Sequence, residues 1–254
     1  MIIDFIGAPA VGKSTFARAL AERLRECGKS VNFNSSYRPA ESADRNLSPI
    51  TDPGHAAAVL HRLARPVAEL MASTRRPVGG DSLPGLVEQL MAMLPPRSMI
   101  WSIRLHQYLL RLAHSWSIAT KADQIIIFDQ GFLQALCSLV VLGRVVDRQQ
   151  IARAVTLLPA PDALIYITAP KHVLEQRLRN RRAQQRRLER LLELDLQTNL
   201  AFLPVIEQLD ELLRAEHQHV IYADCTDDVT LLNGVTRTTQ EVIRICASPM
   251  AIEA

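Results

Sequence analysis

Near the start of the chain, residues 7–14 read Gly-Ala-Pro-Ala-Val-Gly-Lys-Ser, which meets every fixed position of the pattern G-x-x-x-x-G-K-[ST]. Each residue type has a task in holding a nucleoside triphosphate. Gly7 and Gly12 allow backbone conformations and close approach that a Cβ would hinder. The amides of Ala10, Val11, Gly12, Lys13, Ser14 and Thr15 lie where a turn opens into a helix, and such amides can cradle phosphate oxygens. Lys13 brings a positive charge to the β- and γ-phosphates, the Ser14 hydroxyl suits Mg²⁺, and Thr15 can reach the α-phosphate. ATP with Mg²⁺ is the expected cofactor pair.

Two further groups could complete the chemistry. Asp129 follows the apolar run Ile125-Ile-Ile-Phe128. An acid at a strand end can bind the metal or accept a proton from an attacking hydroxyl; it can also cap the helix that follows. Residues 177–190 contain seven arginines in fourteen positions. Arg177 and Arg181 are one helical turn apart, and guanidinium groups suit the charge on a transferring phosphoryl group. A lid over 171–190 is expected there, with a solvated basic helix as the alternative. No aromatic residue interleaves these arginines, so a nucleic-acid face is not expected. Between Met99 and Lys121, Arg104 and Tyr108 are candidate acceptor contacts, or members of an ordinary amphipathic helix.

These residues need elements to place them. Ile2 to Ile6 reads as a buried strand entering the loop, and Ser14 to Cys27 as a helix stopped by Gly28. Further strands are expected at Val31 to Phe33, Ile125 to Phe128, Ala163 to Ile167 and Val220 to Ala223. Helices are expected over His55 to Ala72, Leu86 to Leu94 and Met99 to Lys121, then up to about Leu158. A long arginine-rich helical stretch runs from Lys171 to about Glu216, and a closing helix from Val235 to Ile245. Five buried strands separated by helices argue for an α/β fold, a parallel sheet with helices on both faces in three layers.

Composition narrows the class. Hydrophobic residues make up 48% of the chain and charged residues 22%, with a net charge of +3, which predicts no polyanionic partner. The four cysteines, Cys27, Cys137, Cys225 and Cys246, are far apart and suggest neither a zinc site nor a disulfide framework. No run is long and apolar enough to span a bilayer, and no basic leader precedes Gly7, so a cytoplasmic protein is expected. Thr120-Lys121-Ala122-Asp123 matches a guanine-reading pattern, yet it precedes a strand instead of following one. A switch GTPase or ATPase is therefore the weaker alternative to a kinase.

Taken together, GAPAVGKS, IIIFDQG, PDALIYITAP with its following helix, the arginine-rich segment and HVIYAD resemble P-loop kinases of the thymidylate-kinase and deoxynucleoside-kinase type. The resemblance spans both ends of the chain and Gln124 to Arg187. It implies a sheet of order 2-3-1-4-5, ATP with Mg²⁺, and a lid carrying arginines, in one domain over 1–254 with a helical acceptor-binding insertion at 55–121. It places Asp129 at the family's strand-end acid, where Gln130 stands in for the arginine that follows. Tyr37-Arg38-Pro39-Ala40-Glu41 is similar to the family's second-strand motif, which implies Arg38 as an acceptor-phosphate ligand and Glu41 as a base; a plain surface loop is the other reading. The implied activity is γ-phosphoryl transfer to a hydroxyl or phosphate acceptor, a nucleoside or nucleotide among the candidates. Antibiotic or sugar acceptors stay open, as does a homodimer.

Overall fold

A computed structural model describes residues 1–34, 83–143, 147–184, 194–215 and 219–247. Five strands form one sheet in the order β2-β3-β1-β4-β5: β1 (Ile2–Gly7), β2 (Val31–Asn34), β3 (Ile125–Phe128), β4 (Ala163–Thr168) and β5 (Val220–Asp224). All four pairings are parallel, with Asp4 level with Phe128 on one side and Leu164 on the other. The expected order and strand positions hold. β1 and β3 are buried at every position, as expected of predominantly apolar strands covered on both faces.

The described helices are α1 (Lys13–Glu26), α2 (Leu83–Met93), α3 (Met99–Ala119), α4 (Phe132–Leu142), α5 (Arg148–Leu157), α6 (Lys171–Gln184), α7 (Leu196–Leu200), α8 (Phe202–Ala215) and α9 (Asp228–Ala247). α1 packs with α9 on one face of the sheet, and α4 with α8 on the other. Phe5 meets the Phe16 ring edge-on at 6.0 Å beneath α1, while Trp116 of α3 stacks on Phe128 at 5.1 Å. α1 stops where Gly28 predicts: Gly28 N donates to Arg25 O and Lys29 N to Leu24 O, with Gly28 at φ 77°.

The helical region expected from Lys171 to about Glu216 comprises α6, α7 and α8 among the described residues, and α7 begins afresh where Asp195 caps it, its carboxylate accepting from Thr198 N at 2.7 Å. One expectation needs correction. The closing helix starts seven residues before Val235. Asp227 accepts from Thr230 N at 2.8 Å while Thr230 Oγ1 accepts from Asp227 N at 3.0 Å, a reciprocal cap that nucleates the helix upstream of its apolar face. The expected helix over His55 to Ala72 lies outside the described residues. No helix among the described residues is long and apolar enough to cross a membrane.

Candidate active site

β1 delivers the chain to the phosphate-loop motif at the C-terminal edge of the sheet, where parallel α/β folds gather ligands. Within the loop Ala10 and Gly12 take positive φ, 63° and 107°. Turns of this kind aim successive N–H groups at one side and form an anion-binding concavity. α1 then begins with no side-chain cap and no acid in its first turn. Its first amides have no intrahelical acceptors, and its dipole presents positive charge to the loop. Pro9 has no N–H to offer. The Val11 amide closes a turn on Ala8 O at 3.2 Å, so that part of the predicted cradle is already engaged within the protein.

Lys13 is buried, with 6% of its surface exposed, and its Nζ donates to Gly7 O at 2.6 Å and Ala8 O at 3.0 Å. These carbonyls hold the ammonium at the floor of the loop. Across the β1–β3 boundary, Ser14 Oγ donates to Asp129 Oδ2 at 2.8 Å, joining residues 115 positions apart. Asp129 is buried, and Gly131, not Asp129, occupies the N-cap position of α4. The local capping alternative for Asp129 therefore falls away.

Arg177, on α6, reaches the loop from the other flank. Its Nη1 donates to Val11 O at 3.0 Å and its Nη2 to Thr226 O at 3.1 Å. One guanidinium thus ties the P-loop to the turn after β5. Cys225 lies in the same seam, and burial pushes its thiol above the ordinary range while Arg177 draws it back. Arg181 follows one turn later on α6, partly exposed. Arg177→Ala should lower stability by about 2 kcal/mol through loss of hydrogen bonds from a charged donor, and ATP affinity should fall with it. Thermal melts and calorimetry check this; an unchanged melt would leave Arg177 without a bracing role.

Tyr108 and Arg104 part company. The Tyr108 hydroxyl donates to Gln130 O at 2.6 Å and so lies against the turn that carries Asp129. Arg104 is exposed as a residue, but its guanidinium sits over the Trp101 ring, 4.5 Å from its centroid, where partial desolvation lowers its pKa. Arg38, Glu41 and residues 185–190 of the expected lid lie outside the described residues. The guanine-like tetrad falls at the end of α3, where Thr120 closes the helix. That is the N-terminal edge of the sheet, opposite the P-loop, so it cannot read a base there.

Sequence reasoning passed over two residues. Ile2 to Ile6 reads as an apolar run, yet it contains Asp4, 1% exposed. Burial raises the Asp4 carboxyl to about 7, opposed by hydrogen bonds from the amides of Phe5, Gly131 and Leu133 and reinforced by the nearby charge of Asp129. Gln134, also buried, accepts from Gly7 N at 3.2 Å through its Oε1. A carboxylate in the middle of a buried strand was the available signal for the first; the second shows no local pattern.

The residues fit a magnesium–triphosphate pair. Among the described residues no group of three or more His, Cys, Asp or Glu could hold a metal by itself. One hydroxyl and one carboxylate beside an uncapped helix start is the sparse donor set magnesium takes when phosphates and water complete its shell.

A family model described as an AAA domain, AAA_33, matches residues 2–204. The chain belongs to this family. The match carries the AAA_33 domain from β1 through α6 into α8, which takes in the P-loop, Asp129 and Arg177. A solved structure of deoxyadenosine kinase from M. mycoides, containing dCMP and dCDP, matches 96% of this chain and 100% of its own, with a TM-score of 0.51 and 14% identity. At that identity the likeness is one of fold alone. No curated protein matches the sequence.

Proposed function

We propose that residues 1–254 form one P-loop kinase domain that transfers the γ-phosphoryl group of ATP to a small acceptor, a nucleoside or nucleotide in the first instance. The observation that carries this reading is the Ser14 Oγ to Asp129 Oδ2 hydrogen bond of 2.8 Å beside the ammonium of Lys13. A binding module has no need to set a metal-type hydroxyl and a strand-end acid together at the mouth of a phosphate cradle. The neighbour in fold supports the acceptor class, since that kinase was solved with deoxycytidine nucleotides.

In this reading the amides of Ala10, Gly12, Lys13, Ser14 and Thr15 bind the phosphate tail. Ser14 and Asp129 would hold magnesium, which when bound neutralises charge on the phosphate oxygens. Lys13 supplies charge from below, and Arg177 keeps the loop in register from the side. Arg181, on the same face of α6, supplies charge from above, as part of the lid expected over 171–190. Asp129 also lies where it can orient an acceptor hydroxyl or take its proton. The acceptor enters over the β3–α4 turn, bounded by Tyr108; Arg104, Arg38 and Glu41 are its remaining candidate contacts.

The test is ADP release across nucleosides, nucleotides, sugars and aminoglycoside- or phenicol-type compounds. At least one acceptor should stimulate ATP turnover, and Asp129→Asn should cut the stimulated rate by about 10²-fold, a loss typical of a displaced proton-transfer or charge-stabilising group. Slow turnover indifferent to every acceptor would point to a switch ATPase instead.

A further inference from the structure

β1 is an apolar strand with one exception. Ile2, Asp4 and Ile6 share a face by strand alternation, and an aliphatic residue between the two isoleucines would avoid the cost of burying a carboxyl. What Asp4 faces is the start of α4. Gly131 is the N-cap residue there, with φ −100° and ψ −151°. That is ordinary extended backbone, open to any residue, so conformation does not demand glycine. Space does: a Cβ on Gly131 would lie only 2.3 Å from the carboxyl carbon and both oxygens of Asp4. The same carboxyl accepts a hydrogen bond from Phe5 N at 2.7 Å, and it lies close enough to the amides of Gly131 and Leu133 for both to favour its charged form. Asp4 therefore gives α4, from across the sheet, the capping carboxylate that its own N-cap residue lacks.

The register makes this capping consequential. Asp4 is level with Phe128, the residue before Asp129. The segment Asp129-Gln130-Gly131 hangs between β3 and the Asp4-capped amides. It is held a second time where Tyr108 bonds Gln130 O. One turn further along α4, Gln134 bonds the amide of Gly7, where the P-loop begins. β1 and α4 are thus stitched at two points on either side of the Ser14–Asp129 contact.

We infer that Asp4 is a positioning residue: it pins the β3–α4 turn to β1, and so sets the place of Asp129 relative to Ser14. Its catalytic meaning rests on the kinase reading above; the mechanical coupling does not. Asp4 touches no substrate in this scheme and acts only through the turn.

The experiment measures amide hydrogen exchange in the nucleotide-free protein for wild type, Asp4→Ala, Asp4→Asn and Gly131→Ala. It adds calorimetry with ATP in EDTA and with ATP in magnesium. In Asp4→Ala, exchange at Gly131 and Leu133 should quicken by about tenfold or more while core strands stay protected. ATP affinity in EDTA should remain that of wild type, and affinity with magnesium should fall by about tenfold, the lower range for losing a group that orients a metal ligand. Asp4→Asn keeps the volume and an acceptor oxygen, so it should fold if the alanine variant does not, and show the same changes at smaller size. Gly131→Ala should displace the carboxyl and reproduce the alanine phenotype; Asp4→Ala with Gly131→Ala should be no worse than either alone. Wild-type exchange at residues 131 and 133 in Asp4→Ala or Gly131→Ala, equal losses of affinity in EDTA and in magnesium, or strictly additive losses in the double variant would overturn the inference. A wild-type protein that transfers phosphate to no acceptor would defeat the kinase reading and leave the exchange result standing.

Discussion

Replacing Lys13 with alanine should reduce phosphoryl transfer by about 10²-fold or more, the scale seen when one preorganised charge-stabilising group is lost. Lys13 sits at 6% exposure on the first turn of α1, its ammonium fixed by carbonyls at 2.6 and 3.0 Å. A cation held in this way is already desolvated and oriented, so its field at the phosphate tail is strong and costs no reorganisation during transfer. The guanidinium fixed on the loop cannot replace it, because Arg177 is committed to Val11 and Thr226. Lys13→Arg should fail almost as badly, since a planar fork is larger than the ammonium and cannot occupy the same floor. Stability should change little, because alanine also removes the cost of burying a charge. Single-turnover rates with the best acceptor, alongside thermal melts, separate these effects. A rate within tenfold of wild type would end the assignment of Lys13 to the chemistry.

The parts of this site that were legible in sequence are those whose physics is local. Strand, glycine-rich turn and helix are contiguous over residues 2–26, so the motif fixes both its chemistry and its placement. The apolar run at Ile125 to Phe128 fixes a central strand, and a central parallel strand must end near the loop, which made Asp129 readable. Contacts made by topology were not. Arg177 meets Val11 across 166 positions, and nothing in either neighbourhood announces the other. Arginine enrichment drew attention to a lid, yet the guanidinium that reaches the loop does so as a brace on its backbone. Asp4 was hidden by its setting, since four apolar neighbours out of five make a strand however the fifth is used. The helix starts at Asp195 and Asp227 were missed for the opposite reason: hydrophobic periodicity begins only where a helix touches the core, while a side-chain cap starts it earlier.

Gly12→Ala should be nearly as damaging as loss of Lys13, and by a different route. Gly12 has φ 107° and ψ 14°, a left-handed conformation that L side chains rarely adopt. Strain of this type costs on the order of 1–3 kcal/mol. The new Cβ would also lie 2.7 Å from Cys225 Sγ, a contact that real methyl groups do not make. Cys225 is buried at the end of β5, in the seam closed by Arg177, so the sulfur has little room to yield. The loop must then shift, and its shift moves the amides of Gly12, Lys13 and Ser14 that form the cradle. ATP binding should drop below detection by calorimetry, and the melting temperature should fall by about 5–10 °C, at roughly 2–4 °C per kcal/mol for a chain of this size. The steric and conformational parts can be separated. Adding Cys225→Ala removes the sulfur and leaves a Cβ-to-Cβ distance of 3.8 Å, an ordinary contact, so that background should restore part of the melting temperature. It cannot restore the φ preference, and ATP affinity should stay well below wild type. If Gly12→Ala alone binds ATP normally, the left-handed turn is not what shapes the phosphate cradle.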